Sequence, residues 1–309
     1  MTGLLTRFKA RRALRAALAP LPETDGLTLD TCLKATDHAL VYAGTLDDEE
    51  IVVKQARGEL AEKLAFAQVE ELRYQHPRMR DGPFRVPEVL IARPEAGLVV
   101  MTRAPGIRLD RAIRDAPGLR AAFVRQAGEW LAHYIAPRRE PDTFGGGYWI
   151  KRRSEALSEL PPGPDHRRIG ALIERMRAVR TEFTGRLITR ARCHGDFCPI
   201  NLLVAGDEMW GVDIQNSSWL AVAKDLARFL VYLEIALPAG VHDGPWGLSG
   251  EDYEGLLAAD GLLEPGEAEM VMPYFLAVEL AGRLMSERHD AFMLSSARQF
   301  ADRMIATPV

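Results

Sequence analysis

His194-Gly-Asp-Phe-Cys-Pro-Ile-Asn201 is the stretch that decides the fold of this chain, and Gly211-Val-Asp213 begins ten residues after it. The two stretches carry Asp196, Asn201 and Asp213, with apolar, strand-forming residues between them. Phosphoryl transfer needs one carboxylate that orients a hydroxyl nucleophile, and an amide with a second carboxylate that hold Mg²⁺. The spacing therefore predicts a catalytic loop, then a β-hairpin, then a metal ligand.

Each polar residue of this set has its own reason for the assignment. Asp196 follows Gly195, whose lack of a side chain lets a carboxylate approach a substrate closely, although aspartate is also a common turn residue. Asn201 and Asp213 offer the hard oxygen ligands that Mg²⁺ prefers, and Mg²⁺ usually takes only one or two from the protein. His194 is interpreted as a support for the loop backbone rather than as the base.

Lys54 stands inside an apolar, β-branched run, Ile51-Val-Val-Lys-Gln55, which predicts a strand. An ammonium group is costly to bury unless it is paired. A lysine that holds phosphate oxygens, steadied by a glutamate of the next helix, explains this position. The alternative is an edge-strand lysine that points into water.

The helix predicted over residues 57–75 carries the glutamates that could pair with this lysine. Glu70 lies beside Val69, at the border of the apolar stripe, and is the predicted partner. Glu62 and Glu71 remain alternatives.

Composition and periodicity divide the chain into a basic N-terminal helical extension (1–27), an N-lobe (28–103) and a C-lobe (104–309). Three strands, a helix and two more strands in the N-lobe predict a small antiparallel sheet with one packed helix. The C-lobe is predicted to be mostly helical, with a long loop at 137–164 and helices near 117–136, 165–189, 223–237, 251–260 and 266–305.

Bulk composition excludes several classes of protein. A net charge of −4 argues against nucleic-acid binding by the whole molecule. Three cysteines without a Cys-x-x-Cys pair fit a reducing compartment, so the predicted location is the cytoplasm. No apolar run is long enough to predict a membrane span. The basic segment 4–18 is expected to dock on the domain, with weak contact to a membrane surface or a partner as the alternative.

Together these motifs resemble a known family. His194–Asn201 with Asp213-Ile214, Lys54 and Asp225-Leu-Ala227 is similar to the aminoglycoside phosphotransferase and choline kinase family, a branch of the protein-kinase-like fold. The resemblance implies an α+β fold of two lobes, with a small antiparallel β-sheet and one helix in the N-lobe and a mainly α-helical C-lobe. It also implies a small-molecule kinase that uses Mg²⁺ and ATP, or GTP, to phosphorylate a hydroxyl group.

The resemblance assigns a role to each residue of the predicted chemistry. Asp196 is the base, and Asn201 and Asp213 hold Mg²⁺. Lys54 holds the α- and β-phosphates, with Glu70 as its ion-pair partner.

The resemblance also places the nucleotide base. The backbone of Met101, Thr102 and Arg103 is expected to meet the adenine. The chain departs from the family at Ala35–Ala39, where the turn that covers the phosphates contains no glycine. Backbone amides cradle phosphates best when glycines allow a close approach.

Two other functions stay open from the sequence. A catalytically inactive binding or regulatory module, a pseudokinase, would explain the glycine-free turn. Transfer of AMP instead of phosphate would use the same nucleotide.

The sequence also does not identify the molecule that accepts the phosphoryl group. Acidic residues of the C-terminal part would suit a cationic acceptor such as an aminoglycoside or choline, but solvated helix faces explain them too. Four aromatic residues could enclose a quaternary amine or pack in the core. The acids are Asp243, Glu251, Asp252, Glu254, Asp260, Glu264, Glu267 and Glu269, and the aromatic residues are Trp246, Tyr253, Tyr274 and Phe275.

Overall fold

The computed structural model describes residues 11, 12, 14, 15, 17, 18, 22–214, 218–286 and 290–308. The chain divides into two compact units. The first comprises Met1–Gly106 and Leu203–Ser217, and the second comprises Ile107–Leu202 and Ser218–Val309.

The strands and helices of the described residues are numbered here in chain order. The strands are β1 (Thr31–Ala35), β2 (Ala39–Leu46), β3 (Glu49–Ala56), β4 (Phe84–Arg85), β5 (Val89–Arg93), β6 (Leu98–Thr102), β7 (Ile107–Arg108), β8 (Arg139–Thr143), β9 (Leu187–Arg192), β10 (Leu202–Ala205), β11 (Glu208–Gly211) and β12 (Trp219–Ala221). The helices are α1 (Ala61–Met79), α2 (Leu109–Asp115), α3 (Arg120–Ile135), α4 (Gly147–Ser158), α5 (Pro164–Phe183), α6 (Val222–Ala236), α7 (Gly250–Leu257), α8 (Glu267–Leu284) and α9 (Ala291–Ala306).

A five-stranded antiparallel sheet in the order β1-β2-β3-β6-β5 forms the first unit together with α1. β3 is an inner strand, with Lys54 opposite Val41 of β2 and Val99 of β6, so Lys54 is not an edge-strand residue. Ile51 and Val53 are buried on one face of the sheet, and Lys54 points to the other because successive strand residues alternate. The predicted antiparallel N-terminal sheet is confirmed.

The described residues between 11 and 18 are helical, and two of their leucines belong to the core of the first unit. Leu14 and Leu18 lie in one buried cluster with Leu29, Leu40 and Ile51. This part of the N-terminal extension is therefore docked on the sheet, and its two buried leucines are not available to a membrane or a partner. Residues 1–10 of the extension lie outside the described residues.

The hairpin of β10 and β11 falls mainly in the first unit, whereas the sequence prediction placed it in the C-lobe. β11 pairs in parallel with β4, and Arg85 of β4 forms an ion pair of 2.8 Å with Glu208 of β11. The prediction followed the order of the chain. In the structure the hairpin belongs mainly to the first unit, because β11 pairs with β4.

Helices dominate the second unit, as predicted. α5 and α6 both pack against α8, whose residues Tyr274, Leu276 and Leu280 are fully buried. A helix that is apolar on most sides is typical of a core position. None of the helices in the described part of the chain is both long and apolar enough to span a bilayer.

Several elements of the second unit were not predicted. β8 and α4 occupy the segment predicted as a loop, and β9 occupies the end of a predicted helix; with β12 they form the sheet β12-β9-β8. Gly185, between α5 and β9, has a φ of +89°, a conformation that favours glycine and ends the helix. The single helix predicted over 266–305 is two helices, and Asp290 caps the second by accepting a hydrogen bond of 2.8 Å from the Met293 amide.

Candidate active site

The predicted catalytic loop follows β9 and ends in a short 3₁₀ turn, Pro199–Asn201. Gly195 has a φ of +80°, which only glycine adopts at little cost, so the loop turns sharply before Asp196. The Asp196 side chain is 53% exposed and can be reached from solvent. Its neighbours Phe197 and Cys198 are buried and anchor the loop.

Two donors hold the Asp196 carboxylate. Asn201 Nδ2 donates to Oδ2 at 3.0 Å and to the Asp196 carbonyl oxygen at 2.9 Å. Arg228 Nη1, from α6, donates to Oδ1 at 2.6 Å and to the Gly195 carbonyl oxygen at 2.9 Å. The structure thus brings together two of the predicted site residues, Asp196 and Asn201, and adds Arg228, which the sequence analysis missed.

Two buried residues, Asp225 and His194, accept hydrogen bonds from backbone amides of the loop. Asp225 Oδ2 accepts a hydrogen bond of 2.9 Å from the Gly195 amide; α6 begins at Val222, so Asp225 braces the loop and is not the helix N-cap. Burial raises the pKa of Asp225, and the Lys224 charge and the hydrogen bond from the Gly195 amide oppose that shift. His194 Nδ1 accepts from the Asp196 amide at 3.3 Å, which agrees with its interpretation as a support.

Arg228 is itself fixed by a buried carboxylate of α8. Arg228 Nε donates to Glu279 Oε2 at 3.0 Å, and Lys224 Nζ lies 3.1 Å from Glu279 Oε1. Burial favours the neutral form of Glu279, but Lys224 and Arg228 outweigh it and lower the pKa of this carboxyl below its ordinary value. Burial also opposes the charge on Arg228, yet Glu279 and Asp196 outweigh it and raise the pKa of the guanidinium. Glu279 therefore holds Arg228 in the position from which it contacts Asp196.

The sequence contains a signal for both residues that were missed. Arg228 follows Asp225 by three positions and therefore lies on the same face of α6. Glu279 is an isolated acid in an apolar helix, and a buried carboxylate requires a partner.

In the first unit, Lys54 and Asp213 form an ion pair of 2.5 Å. Lys54 is 8% exposed, so burial lowers the pKa of its ammonium group, and the Asp213 carboxylate opposes the shift. Asp213 has a φ of +60°, a left-handed conformation that costs free energy for a residue with a side chain. Strain of this kind is typical of functional positions.

The structure differs from the prediction for Glu70. Glu70 lies on the exposed face of α1 and forms no hydrogen bond or ion pair within the described part of the chain, so it is not brought to Lys54. Glu71, one position further, is buried on the sheet side and accepts a hydrogen bond of 3.1 Å from Gln75. The buried face of α1 keeps the predicted Ala65, Val69 and Leu72, and it includes Glu71 instead of Glu70.

The predicted adenine-binding residues lie at the end of β6. The amide of Thr102 donates to the Glu88 carbonyl oxygen and that of Arg103 to the Glu50 carbonyl oxygen, both at 2.9 Å. Met101 is buried. The amide of Ala104 donates to no partner among the described residues.

The glycine-free turn connects β1 to β2, where the nucleotide loop was expected. Thr36 closes it on itself: the Thr36 amide donates to the Ala39 carbonyl oxygen at 2.9 Å, and the Ala39 amide donates to Thr36 Oγ1 at 3.1 Å. Two amides of the turn are therefore already satisfied within it.

A metal ion would depend on few protein ligands. Within the described residues, no group of three or more His, Cys, Asp and Glu side chains could hold a metal ion. Mg²⁺ does not need such a group when it also binds phosphates. Because Asn201 donates its amide nitrogen to Asp196, its oxygen Oδ1 is left as a ligand, and Asp213 offers its carboxylate. Both fit Mg²⁺.

The residues considered for the acceptor are divided between one cavity and the fold: Tyr253, Glu254, Asp260, Glu264 and Glu269 line the same cavity. Asp252 is bonded to Arg120, and Glu267 accepts from Thr189, so these acids serve the fold. Tyr274 and Phe275 are buried and pack against each other.

Comparison with known proteins identifies a family for this chain. The model of the phosphotransferase enzyme family matches residues 34–266. No curated protein matches the chain.

Similar solved structures include three kinases or phosphotransferases. One is a choline/ethanolamine kinase family protein from Mesorhizobium loti, with 16% identity and a TM-score of 0.62 over 98% of this chain and 96% of that chain. Another is an aminoglycoside phosphotransferase, with 14% identity and a TM-score of 0.61 over 95% and 98%. A glucosamine kinase in complex with glucosamine, ADP and inorganic phosphate has 17% identity and a TM-score of 0.54 over 93% and 80%. The fold is shared with all three, and the family match over most of its length shows that this chain belongs to the phosphotransferase enzyme family.

Proposed function

We propose that this protein is a kinase that transfers the γ-phosphoryl group of ATP, with Mg²⁺, to a hydroxyl group of a small molecule. One observation carries the proposal: the exposed Asp196 carboxylate is held by Asn201 at 3.0 Å and by Arg228 at 2.6 Å. A carboxylate fixed in this way can orient a hydroxyl nucleophile. The names of the similar structures support a small-molecule acceptor, because they include glucosamine kinase and choline/ethanolamine kinase.

In the proposed reaction the acceptor oxygen forms a bond to the γ-phosphorus. The bond from that phosphorus to the β,γ-bridging oxygen breaks, and ADP leaves with the electron pair. The hydroxyl proton passes to Asp196 and then to solvent. The protein contributes mainly by positioning, because phosphoryl transfer has a loose transition state with little covalent work for side chains.

The nucleotide is assigned to residues of the first unit. Lys54 binds phosphate oxygens, and Glu71 replaces Glu70 as the helix carboxylate that supports it. We assign the adenine to the backbone of Met101–Arg103 and to the amide of Ala104, which has no partner among the described residues. We prefer ATP to GTP because a similar structure holds ADP.

The metal is assigned to Asn201 and Asp213. When bound, Mg²⁺ neutralises phosphate charge. Asp213 would then be shared between the metal and the Lys54 ammonium, with which it forms an ion pair. We propose the cytoplasm as the location, since ATP is available there.

Purified protein tests this function. It is incubated with Mg²⁺, ATP and a panel of small alcohols, and ADP release is measured together with the mass of the product. The kinase proposal requires a product heavier by one phosphate, and turnover that falls by about 10² or more in Asp196→Asn, the scale of a lost general base. Asp81→Asn is the matched control, because Asp81 is exposed and distant in sequence from the motifs.

The alternative, a kinase-like binding module without turnover, is favoured by the closed, glycine-free turn at Thr36. It predicts nucleotide binding with no product from any acceptor. A product heavier by AMP would instead identify a nucleotidyl transferase.

A further inference from the structure

The side chains around Arg228 carry more positive than negative charge. Five cations lie together in the second unit: Lys224, Arg228, Arg152, Arg153 and Arg283. We call them the cationic cluster. Within the described residues, the carboxylates that face it are Glu279, Asp196 and Asp225. Like charges repel, so cations that outnumber the neighbouring carboxylates are expected to bind an anion.

Trp149 of α4 holds one side of the cluster together. Its ring centroid lies 5.1 Å from Lys224 Nζ, 5.6 Å from the Arg153 guanidinium carbon and 5.8 Å from that of Arg152. A tryptophan ring attracts cations within about 6 Å of its centroid. Trp149 therefore contacts three cations, of which only Lys224 is also paired with a carboxylate, Glu279, within the described residues.

The guanidinium of Arg153 is held in a fixed position through its Nε. Its Nε donates to the Val278 carbonyl oxygen at 3.1 Å. A Cβ at Gly282 would come within 2.5 Å of Arg153 Nη2, so the glycine makes room for the guanidinium on α8. Neither terminal nitrogen of Arg153 has a hydrogen-bond partner within the described part of the chain. Burial lowers the pKa of this guanidinium, an effect that a bound anion would oppose.

Arg283 extends the cluster toward the catalytic loop. It lies four residues after Glu279, on the same face of α8. Its charge and that of Arg228 act on Cys198, which burial raises to a pKa of about 12 and whose Sγ is 3.3 Å from the Asp196 carbonyl oxygen. The side chain of Arg283 forms no ion pair or hydrogen bond with the described residues.

We propose that the acceptor of this enzyme carries an anionic group, a carboxylate or a phosphate, which Arg153 and Arg283 bind while Asp196 orients the hydroxyl group. The planar, forked guanidinium suits both anions. A cationic acceptor would meet the excess positive charge. This inference rests on the proposed function, since it names the substrate class of the same site.

Inorganic phosphate is the minimal probe. The protein is saturated with Mg²⁺ and AMP-PNP, which fills the γ-phosphate position, and phosphate binding is then measured by calorimetry. We expect binding to the wild type, weakened by about tenfold or more in Arg153→Gln and in Arg283→Gln, the scale of a lost charge-assisted hydrogen bond. Arg283→Gln removes no side-chain hydrogen bond or ion pair within the described residues, so it tests the proposal even where Arg153→Gln folds poorly.

Arg167→Gln is the matched control, because Arg167 is exposed on α5 and the substitution removes the same charge. Equal phosphate affinity in all four proteins, or no binding at all, overturns the proposal. So does a loss in Arg153→Gln that appears only in the affinity for AMP-PNP, because the cluster would then serve the nucleotide.

A second experiment uses matched acceptors: glycerol, glycerate and glycerol 3-phosphate against choline and glucosamine, with ADP release as the readout. Preference for an anionic member, lost in Arg153→Gln, supports the proposal and separates carboxylate from phosphate. Preference for choline or glucosamine overturns it but leaves the kinase assignment intact. Phosphate binding that depends on Arg153, in a protein that transfers to no acceptor, would contradict the proposed function alone.

Discussion

Arg228 donates a hydrogen bond of 2.6 Å to Asp196, and the same guanidinium is held from behind by Glu279 at 3.0 Å. Arg228 on α6 thus fixes the orientation of Asp196, the proposed base. Glu279 on α8 fixes the position of Arg228. A guanidinium that binds two partners at once cannot be replaced by a lysine, because an ammonium group lacks the planar fork.

Arg228→Lys is therefore expected to lower kcat by about tenfold or more, the usual consequence of a misplaced catalytic group. The KM for ATP should stay unchanged, because Arg228 is not assigned to the nucleotide. Steady-state kinetics with the acceptor found in the panel provide the measurement. Arg168→Lys is the control, since Arg168 binds Asp302 in the same forked manner at the surface. A rise in the KM for ATP with unchanged kcat would contradict this role.

Glu279→Gln is expected to destabilise the fold by about 3 kcal/mol at pH 7, because it leaves Lys224 buried without its counter-charge and removes one of the two carboxylates that hold Arg228. Chemical denaturation monitored by tryptophan fluorescence measures the difference. Glu182→Gln, on the exposed face of α5, should change the free energy of unfolding by less than about 0.5 kcal/mol.

The same ion pairs predict a pH dependence. The folded protein lowers the pKa of Glu279 below its ordinary value of 4.5, so its charge stabilises the fold at pH values above that value. The stabilisation is lost as the pH falls through the lower folded pKa. The difference in unfolding free energy between wild type and Glu279→Gln should therefore shrink below pH 4.5. A difference that is constant down to acid unfolding would show that the charge of Glu279 is not its source.

The sequence predicted those parts of the site that lie in short motifs. Asp196 and Asn201 are five residues apart in one loop, so local spacing was enough to pair them. Arg228 and Glu279 are separated by 51 positions, and their contact depends on how two helices pack, which periodicity does not report. The same limit explains β8 and β9: their strand pairing is a tertiary contact, and helical periodicity outweighed it in the sequence.

Asp213→Asn is expected to weaken the binding of Mg²⁺-nucleotide by about tenfold or more, because a neutral amide replaces the charged ligand of a hard cation. It also removes the counter-charge of Lys54. The measurement is a Mg²⁺ titration at constant ADP, repeated with ADP and EDTA. Nucleotide binding that is the same in both proteins, with and without EDTA, would exclude Asp213 as a metal ligand. Asp81→Asn serves again as the control for the lost charge.

Glu70 and Glu71 offer a matched pair on one helix, because they are neighbours of the same type and only Glu71 is buried. If Glu71 supports the phosphate-binding Lys54, Glu71→Gln should raise the Kd for Mg²⁺-ADP by several-fold, about 1 kcal/mol for one weakened hydrogen-bonded contact. Glu70→Gln should leave the Kd unchanged. Calorimetry on the two variants decides between them, and thermal unfolding of both checks that the substitution at the buried position has left the fold intact. The reverse result, with an effect from Glu70 alone, would restore the pairing of Lys54 with Glu70 that the sequence predicted.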